Sequence, residues 1–163
     1  ISAHYSVPFI NSEIHMRNLF LLFCLLLFSA FAQGQEYDKA LADSLGADEY
    51  GMKMYTFVIL KTGPTVITDS VRRNELFKGH MENISRLSAE GKLIVAGPFS
   101  KNDQNFRGLF IFNTTSEEEV WQMLQEDPTI REKIFEAEIF QWYGSAALPL
   151  YLDDHAKIEQ LKH

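Results

Sequence analysis

Four stretches of the chain combine apolar residues with β-branched and aromatic side chains and end at turn residues, a pattern that predicts β-strands. Two longer stretches repeat their apolar residues at the 3.6-residue period of an α-helix. The predicted strands are residues 52–61, 92–99, 106–113 and 133–143, and the predicted helices are residues 70–90 and a segment between Thr115 and Asp127. A short helix or arm is also expected in residues 33–49, where Tyr37, Leu41 and Leu45 are four residues apart and Gly46 follows.

The first long helix carries signals at both of its ends. Asp69 or Thr68 is placed to cap its N-terminus, and Gly91 follows its last turn. The apolar stripe that should face the sheet consists of Phe77, His80, Ile84 and Leu87.

The second long helix is opened by a capping box formed by Thr115 and Glu118. Its inward side chains are expected to be Val120, Trp121 and Leu124. The helix should end at Asp127-Pro128, because a proline disfavours the α conformation of the residue before it and cannot continue a helix interior.

The predicted order is strand, helix, strand, strand, helix, strand. In one antiparallel sheet with both helices on one face, this order is the ferredoxin-like split βαβ arrangement, an α+β fold. The predicted domain covers residues 51–143, preceded by an arm at 33–50 and followed by a tail at 144–163.

Both faces of the predicted sheet are apolar. In the first strand, Met52, Met54, Val58 and Leu60 alternate with Tyr55, Phe57 and Ile59. Because two helices cover only one face, the other face must be buried elsewhere. A second copy of the sheet is the simplest cover and predicts a two-fold homodimer, while the alternative is that the tail covers this face.

Residues 16–32 have the features of a secretory signal peptide. Met16 and Arg17 begin a short positive segment, residues 19–32 are apolar, and Ala30-Phe31-Ala32 forms a small-x-small cleavage site. The apolar run is shorter than the roughly 20 residues of a membrane-spanning helix, so no stable membrane insertion is expected. Residues 1–15 are interpreted as upstream translation, and the product as exported to the periplasm or secreted.

Composition and charge exclude several classes of protein. The chain has 163 residues, of which 46% are hydrophobic and 23% charged, as expected of a folded domain. A net charge of -7 argues against nucleic acid as a partner. The single cysteine, Cys24, excludes an intrachain disulfide and a cysteine-based zinc site. No nucleotide-binding, zincin or nucleophile-elbow motif is present, and no cofactor is predicted.

His80 and Asp127 are the main candidates for chemistry. His80 lies on the apolar stripe, where a polar ring needs a partner, and the neighbouring Gly79 indicates either the close approach of another segment or space beside the ring. The fold should bring Asp127 beside the middle of the first helix, where its carboxylate would orient the imidazole as a proton-transfer group. The alternatives are a structural core histidine and an Asp that only caps the turn beginning at Pro128.

Two further residues are weaker candidates. Ser100 and Arg107, near the ends of the second and third strands, would be placed to bind an anionic substrate. Asp153-Asp154-His155 is expected to be a solvated surface and not a metal site, because adjacent residues rarely converge on one ion.

A set of motifs occurs in one order along the predicted domain: His80, Gly91, Ala96-Gly97-Pro98-Phe99, Gly108 and Asp127-Pro128. This set resembles the YCII-related (YciI-like) family, and residues 45–64 are similar to its exported members. The resemblance implies a dimeric α+β barrel with a ferredoxin-like protomer and an active site built on His80 and Asp127. This chain departs from the family at Thr129, where an aromatic residue is usual, and at Phe140-Gln141-Trp142, where the family has an Arg-Pro-aromatic ending.

Two functions follow from these residues. The first is an exported enzyme that moves a proton on a small, cyclic organic substrate, of the lyase or isomerase type that the resemblance implies, with His80 as the base and Asp127 orienting it. The second is a non-catalytic dimer that binds a small ligand in an apolar interior, with His80 as a hydrogen-bond donor or even a haem ligand.

Overall fold

The structure is a computed structural model that describes residues 36–161. The predicted upstream segment, the signal peptide with Cys24 and the first residues of the arm lie outside the described residues. The chain divides into two units, residues 1–38 and 39–163; of the first, only residues 36–38 are described, and they form no helix or strand. Within the described part of the chain, no helix is both long and apolar enough to cross a membrane.

The second unit is an α+β domain with four strands. The elements follow the predicted order with ends shifted by a few residues. Their bounds are α1 Lys39–Leu45, β1 Met52–Thr62, α2 Ser70–Ala89, β2 Leu93–Pro98, β3 Phe106–Phe112, α3 Glu117–Gln125, α4 Pro128–Arg131, β4 Phe135–Ser145, a 3-10 turn Leu148–Tyr151 and α5 Leu152–Ile158.

The four strands form one antiparallel sheet in the order β2-β3-β1-β4. β1 is central, and it pairs with β4 along its whole length, from Met52 opposite Ser145 to Thr62 opposite Phe135. This arrangement is compatible with the ferredoxin-like fold expected from the sequence. β4 begins two residues later than predicted, since Lys133 has a φ of 56° and leaves the extended conformation.

The ends of α2 are as predicted. Asp69 caps the N-terminus, and its Oδ1 accepts hydrogen bonds from the backbone N–H groups of Val71 at 2.8 Å and Arg72 at 3.3 Å. Gly91 follows the helix with a φ of 68°, a left-handed conformation that glycine adopts without a steric penalty.

The predicted N-cap of the next helix was wrong by one residue. Ser116, and not Thr115, caps α3, and its Oγ accepts from the N–H of Glu119 at 3.2 Å. The buried positions are Val120, Met123 and Leu124. Trp121 was predicted to point inward but is 42% exposed. It directly follows the buried Val120, and each residue of an α-helix is rotated by about 100° from the one before it.

The buried stripe of α2 also differs from the prediction by a small rotation. Its buried side chains are Leu76, His80, Asn83 and Leu87. Phe77 was expected on this stripe but lies at its edge, 37% exposed. His80 therefore lies at the centre of the buried face of the helix.

The main core lies between the helices and the sheet. Its buried side chains are Val58, Leu60, Leu87, Leu93, Phe110, Phe112, Val120, Met123, Leu124, Ile130 and Phe135. β1 contributes Val58 and Leu60 to this side, as its alternating pattern predicts.

The C-terminal tail covers part of the opposite face of the sheet. Leu148 packs against Tyr55, Ile94 and Ile111, and the hydroxyl of Tyr151 donates to the carbonyl of Ile94. The residues of the tail form the 3-10 turn and α5. At the other edge of this face, Phe140 is 47% exposed and Trp142 is 38% exposed, so the tail alone does not bury the whole face.

Candidate active site

His80 lies in the middle of α2 with its ring directed at the sheet. The residue is 9% exposed. Three aromatic rings surround the imidazole at centroid distances of 6.2 Å for Phe77, 5.7 Å for Phe135 and 6.1 Å for Phe110. The imidazole therefore lies at an apolar part of the core, where a ring nitrogen that is cut off from water needs a specific partner.

Asp127 lies in the tight connection between α3 and α4. Its extended backbone, with φ -78° and ψ 117°, caps α4, and Pro128 occupies the first turn of that helix. The residue is 1% exposed. The capping role that was considered as an alternative to a chemical role is therefore present.

The two side chains are in direct contact. His80 Nδ1 lies 2.5 Å from Asp127 Oδ2. His80 is on α2 and Asp127 is in the connection between α3 and α4, and the fold brings the end of α3 beside the middle of α2, as the strand order predicts. Capping and contact with the histidine coexist because they use different oxygens of the carboxylate.

Gly79 allows α4 to approach α2 at this point. A Cβ on Gly79 would lie 2.7 Å from Pro128 Cγ, a distance that a stiff proline ring cannot accommodate without moving. Of the two explanations expected from the sequence, the structure has the close approach of another segment. The glycine therefore permits the contact between His80 and Asp127.

Polar contacts also join α2 to the end of α3. Asn83 Nδ2 donates to the carbonyl of Met123 at 3.4 Å, and Arg86 donates to Asn83 Oδ1 at 2.7 Å. Arg86 also forms an ion pair with Glu126, the residue before Asp127. Because the Arg86 and Glu126 side chains are 41% and 60% exposed, the pair contributes only about 0–1 kcal/mol to stability.

Thr129 completes a buried cluster with His80 and Asp127. Its backbone N–H donates to Asp127 Oδ1 at 2.9 Å, and its hydroxyl donates to the same oxygen at 2.7 Å. Its Oγ1 also lies 3.3 Å from His80 Nδ1. The sequence drew attention to Thr129 only as a departure from a family pattern; its position two residues after an Asp cap was the available signal for the contact.

The surroundings of Asp127 favour its charged form. Burial by itself raises the pKa of Asp127, but the hydrogen bond and charge of His80 together with the two hydrogen bonds from Thr129 outweigh it and hold the pKa below the usual value. An ionised carboxylate accepts from the N–H of His80 Nδ1 and leaves the lone pair of the ring on Nε2.

Nε2 of His80 has no hydrogen-bond partner among the described residues. Within residues 36–161, the hydrogen-bond contacts of the ring are both made through Nδ1. Every fully buried side-chain nitrogen or oxygen in this part of the chain has a hydrogen-bond partner. Nε2, which has none, is therefore not sealed from solvent, and a neutral imidazole in this state can accept a proton.

The region that holds this cluster matches a known family. A family model for the YCII-related domain matches residues 54–143, more than half of the chain. The chain belongs to the YCII-related domain family. This confirms the resemblance seen in the sequence, and both His80 and Asp127 lie within the matched region, whereas α1 and the 3-10 turn lie outside it.

Other comparisons add little. A search of curated proteins found no match. Among solved structures, the YCII-related domain is similar to 5-chloro-2-hydroxyhydroquinone dehydrochlorinase from Burkholderia phenoliruptrix AC1100 in complex with 2,5-dihydroxybenzoquinone. The identity is 22%, the similarity covers 53% of this chain and 92% of that chain, and the TM-score is 0.38.

The other candidate residues lie apart from this cluster. In the YCII-related domain, Ser100 and Arg107 are exposed, and no hydrogen bond or ion pair joins either side chain to His80 or Asp127. A role for them in substrate binding stays a prediction. Asp153, Asp154 and His155 are exposed on α5, and the described residues contain no group of three or more potential ligands placed to hold a metal ion.

Proposed function

We propose that this YCII-related protein catalyses proton transfer on a small organic substrate, with His80 as the general base. The observation that carries the proposal is the asymmetry of the ring. Nδ1 is bonded to a buried carboxylate at 2.5 Å, whereas Nε2 has no partner within the described residues. Asp127 orients the imidazole and stabilises the imidazolium that forms when Nε2 accepts a proton.

The proposed step is removal of a proton from a carbon next to a carbonyl group. Nε2 takes the proton, and the electron pair of the C–H bond moves to the carbonyl oxygen to form an enolate. Return of the proton from Nε2 to another atom of the substrate gives an isomer. Expulsion of a leaving group from the enolate gives the product of a lyase, so both reaction types use the same base.

A cyclic, partly aromatic substrate suits the surroundings of the base. Phe77, Phe110 and Phe135 provide apolar and aromatic surface around His80. Burial in such surroundings also strengthens the electrostatic contribution of Asp127, because fewer water molecules screen it.

The proposal includes assembly and location. A homodimer formed through the sheet face that carries Phe140 and Trp142 would bury side chains that are 47% and 38% exposed in the single chain. Export to the periplasm or secretion rests on the signal-peptide features of residues 16–32.

Proton exchange tests the enzymatic function without knowledge of the natural substrate. The protein is incubated in D2O with a panel of small cyclic ketones and hydroxyquinones, and 1H NMR follows the loss of each C–H signal. We expect accelerated exchange for at least one compound and a decrease of about 10²-fold or more in His80→Gln. His155→Gln is the matched control, since His155 is an exposed histidine on α5. Equal exchange in wild type and His80→Gln would contradict the role of His80.

The second candidate function is binding of a small ligand without turnover. It is favoured by the three aromatic rings around a histidine whose Nε2 is unbonded, an arrangement that also suits a ligand-binding pocket. Titration with haemin tests the haem version, because coordination by His80 would give a Soret band that His80→Gln lacks. Saturable binding of a panel compound without exchange would support the binding function in general.

A further inference from the structure

We propose that Thr129 is a positioning residue that fixes the Asp127 carboxylate in one orientation and so keeps the proton of neutral His80 on Nδ1. The proposal deepens the function proposed above and rests on it for its catalytic meaning. Its test, however, reads the histidine ring directly and does not require turnover.

The first argument is that both donors of Thr129 point to one oxygen. The backbone N–H and the hydroxyl bond to Asp127 Oδ1 at 2.9 and 2.7 Å, and neither bonds to Oδ2. Thr129 is completely buried and Asp127 is 1% exposed, so these donors do not exchange freely with water. Oδ2 is therefore the oxygen presented to His80.

The second argument concerns the hydroxyl proton. Thr129 has one O–H, and it is directed to Asp127 Oδ1. Toward His80 Nδ1, which is 3.3 Å away, Oγ1 therefore presents lone pairs. Both hydrogen-bond neighbours of Nδ1 among residues 36–161, namely Oγ1 and Asp127 Oδ2, are acceptors, and Nδ1 must carry the proton. The free lone pair is then on Nε2, as a base requires.

This arrangement has a consequence for the amide substitution Asp127→Asn. The two donors of Thr129 should hold the carbonyl oxygen of Asn in the place of Oδ1. The amide NH2 would then face Nδ1, which would have to accept a hydrogen bond. The proton of His80 would move to Nε2, the wrong tautomer for a base at that nitrogen.

Long-range 1H-15N NMR of the His80 ring in the full chain tests this directly. At a pH where the ring is neutral, we expect a protonated Nδ1 in wild type and a protonated Nε2 in Asp127→Asn. A ring that keeps its proton on Nδ1 in Asp127→Asn would overturn the proposal, since the amide would then have turned its oxygen to the histidine.

Substitutions at Thr129 isolate the hydroxyl. Thr129→Val is close in shape but lacks the hydroxyl, and Thr129→Ser retains it. Because the hydroxyl favours the charged form of Asp127, we expect the pKa of Asp127, followed by its carboxyl 13C signal, to rise in Thr129→Val and to stay near wild type in Thr129→Ser. Equal pKa values of Asp127 in Thr129→Val and Thr129→Ser would refute a role for the hydroxyl.

The outcomes also separate this proposal from the proposed function. A tautomer that changes as expected, together with no proton exchange on any panel compound, supports the positioning role and contradicts the enzyme. Proton exchange that depends on His80, together with a tautomer that is unchanged in Asp127→Asn, supports the enzyme and contradicts the role of Thr129.

Discussion

Gly79 and Pro128 are in contact where α2 and α4 cross, one residue before His80 and one residue after Asp127. A Cβ at position 79 would lie 2.7 Å from Pro128 Cγ, well inside van der Waals contact. The missing side chain is therefore a condition for the hydrogen bond between His80 and Asp127. Glycine, a residue type that weakens a helix, therefore stands at the point where the two helices approach closely.

Gly79→Ala should disturb this contact in spite of its better helix propensity. Alanine would favour the helix by about 1 kcal/mol, but overpacking against a proline ring costs roughly 1–3 kcal/mol. We expect unchanged or lower stability in urea unfolding and a shifted His80 ring spectrum, because α4 and Asp127 must move away from α2.

Ser85→Ala is the matched control for Gly79→Ala. Ser85 is exposed on the same helix, so the substitution changes helix propensity without a new contact. A Gly79→Ala protein that gains stability and keeps the wild-type spectrum of the His80 ring would show that Pro128 moves aside without loss of stability.

Asp127 should make the stability of the protein depend on pH in the acid range. Its folded-state pKa is held below the ordinary value of 3.8, so the ionised carboxylate stabilises the fold above that value. This contribution is lost as the pH falls through the folded-state pKa. We expect the thermal midpoints of wild type and Asp127→Asn to differ most above pH 3.8 and to converge as the pH falls through the folded-state pKa of Asp127.

Asp103→Asn is a control for the general effect of removing one acidic charge. Asp103 is exposed in the loop between β2 and β3. Because Asn is also a good N-cap, Asp127→Asn retains the cap of α4 while it removes the charge and changes the hydrogen bond to His80. A difference between wild type and Asp127→Asn that stays constant from pH 6 to pH 2 would contradict the predicted linkage.

Local signals in the sequence predicted the framework of the fold well. Asp69, Gly91 and Pro128 determine backbone conformation within a few residues, so the helix ends that depend on them were found. The alternating faces of β1 were also predictable, because the side-chain period of a strand is two.

Features that depend on tertiary packing were harder to predict from the sequence. Trp121 and Phe77 are apolar and lie one position away from buried residues, and only the packing of each helix decides which side chain is covered. Thr129 was seen as a substitution in a motif, since its hydroxyl contact exists only after α4 packs on α2. The 3-10 turn in the tail was not predicted, because so short an element has no repeating pattern of apolar residues.

The exposed aromatic residues on β4 should mediate dimer formation. Phe140 and Trp142 lie opposite Phe57 and Tyr55, respectively, on the face of the sheet that the helices do not cover. We expect sedimentation of wild type at twice the chain mass and dissociation in Phe140→Lys, because a buried unpaired ammonium is strongly unfavourable.

Trp121→Lys is the control for the dimer prediction. Trp121 is similarly exposed, at 42%, but lies on α3. Loss of the dimer in Trp121→Lys with retention in Phe140→Lys would place the interface on the helical side. A wild-type protein that is monomeric at micromolar concentration would contradict the predicted dimer.

The tail should contribute to stability through its contact with the sheet. Leu148 is partly buried against Tyr55, Ile94 and Ile111, whereas Leu150 in the same turn is 47% exposed. We expect Leu148→Ala to lower the free energy of unfolding by about 1–2 kcal/mol, which is less than the loss at a fully buried leucine. Leu150→Ala should change the free energy of unfolding by less than about 0.5 kcal/mol. Urea unfolding followed by tryptophan fluorescence measures both, since Trp142 lies 5.9 Å from the Tyr55 ring. Equal effects of the two substitutions would mean that the turn does not pack on the sheet in solution, and the whole outer face would then be free for a second chain.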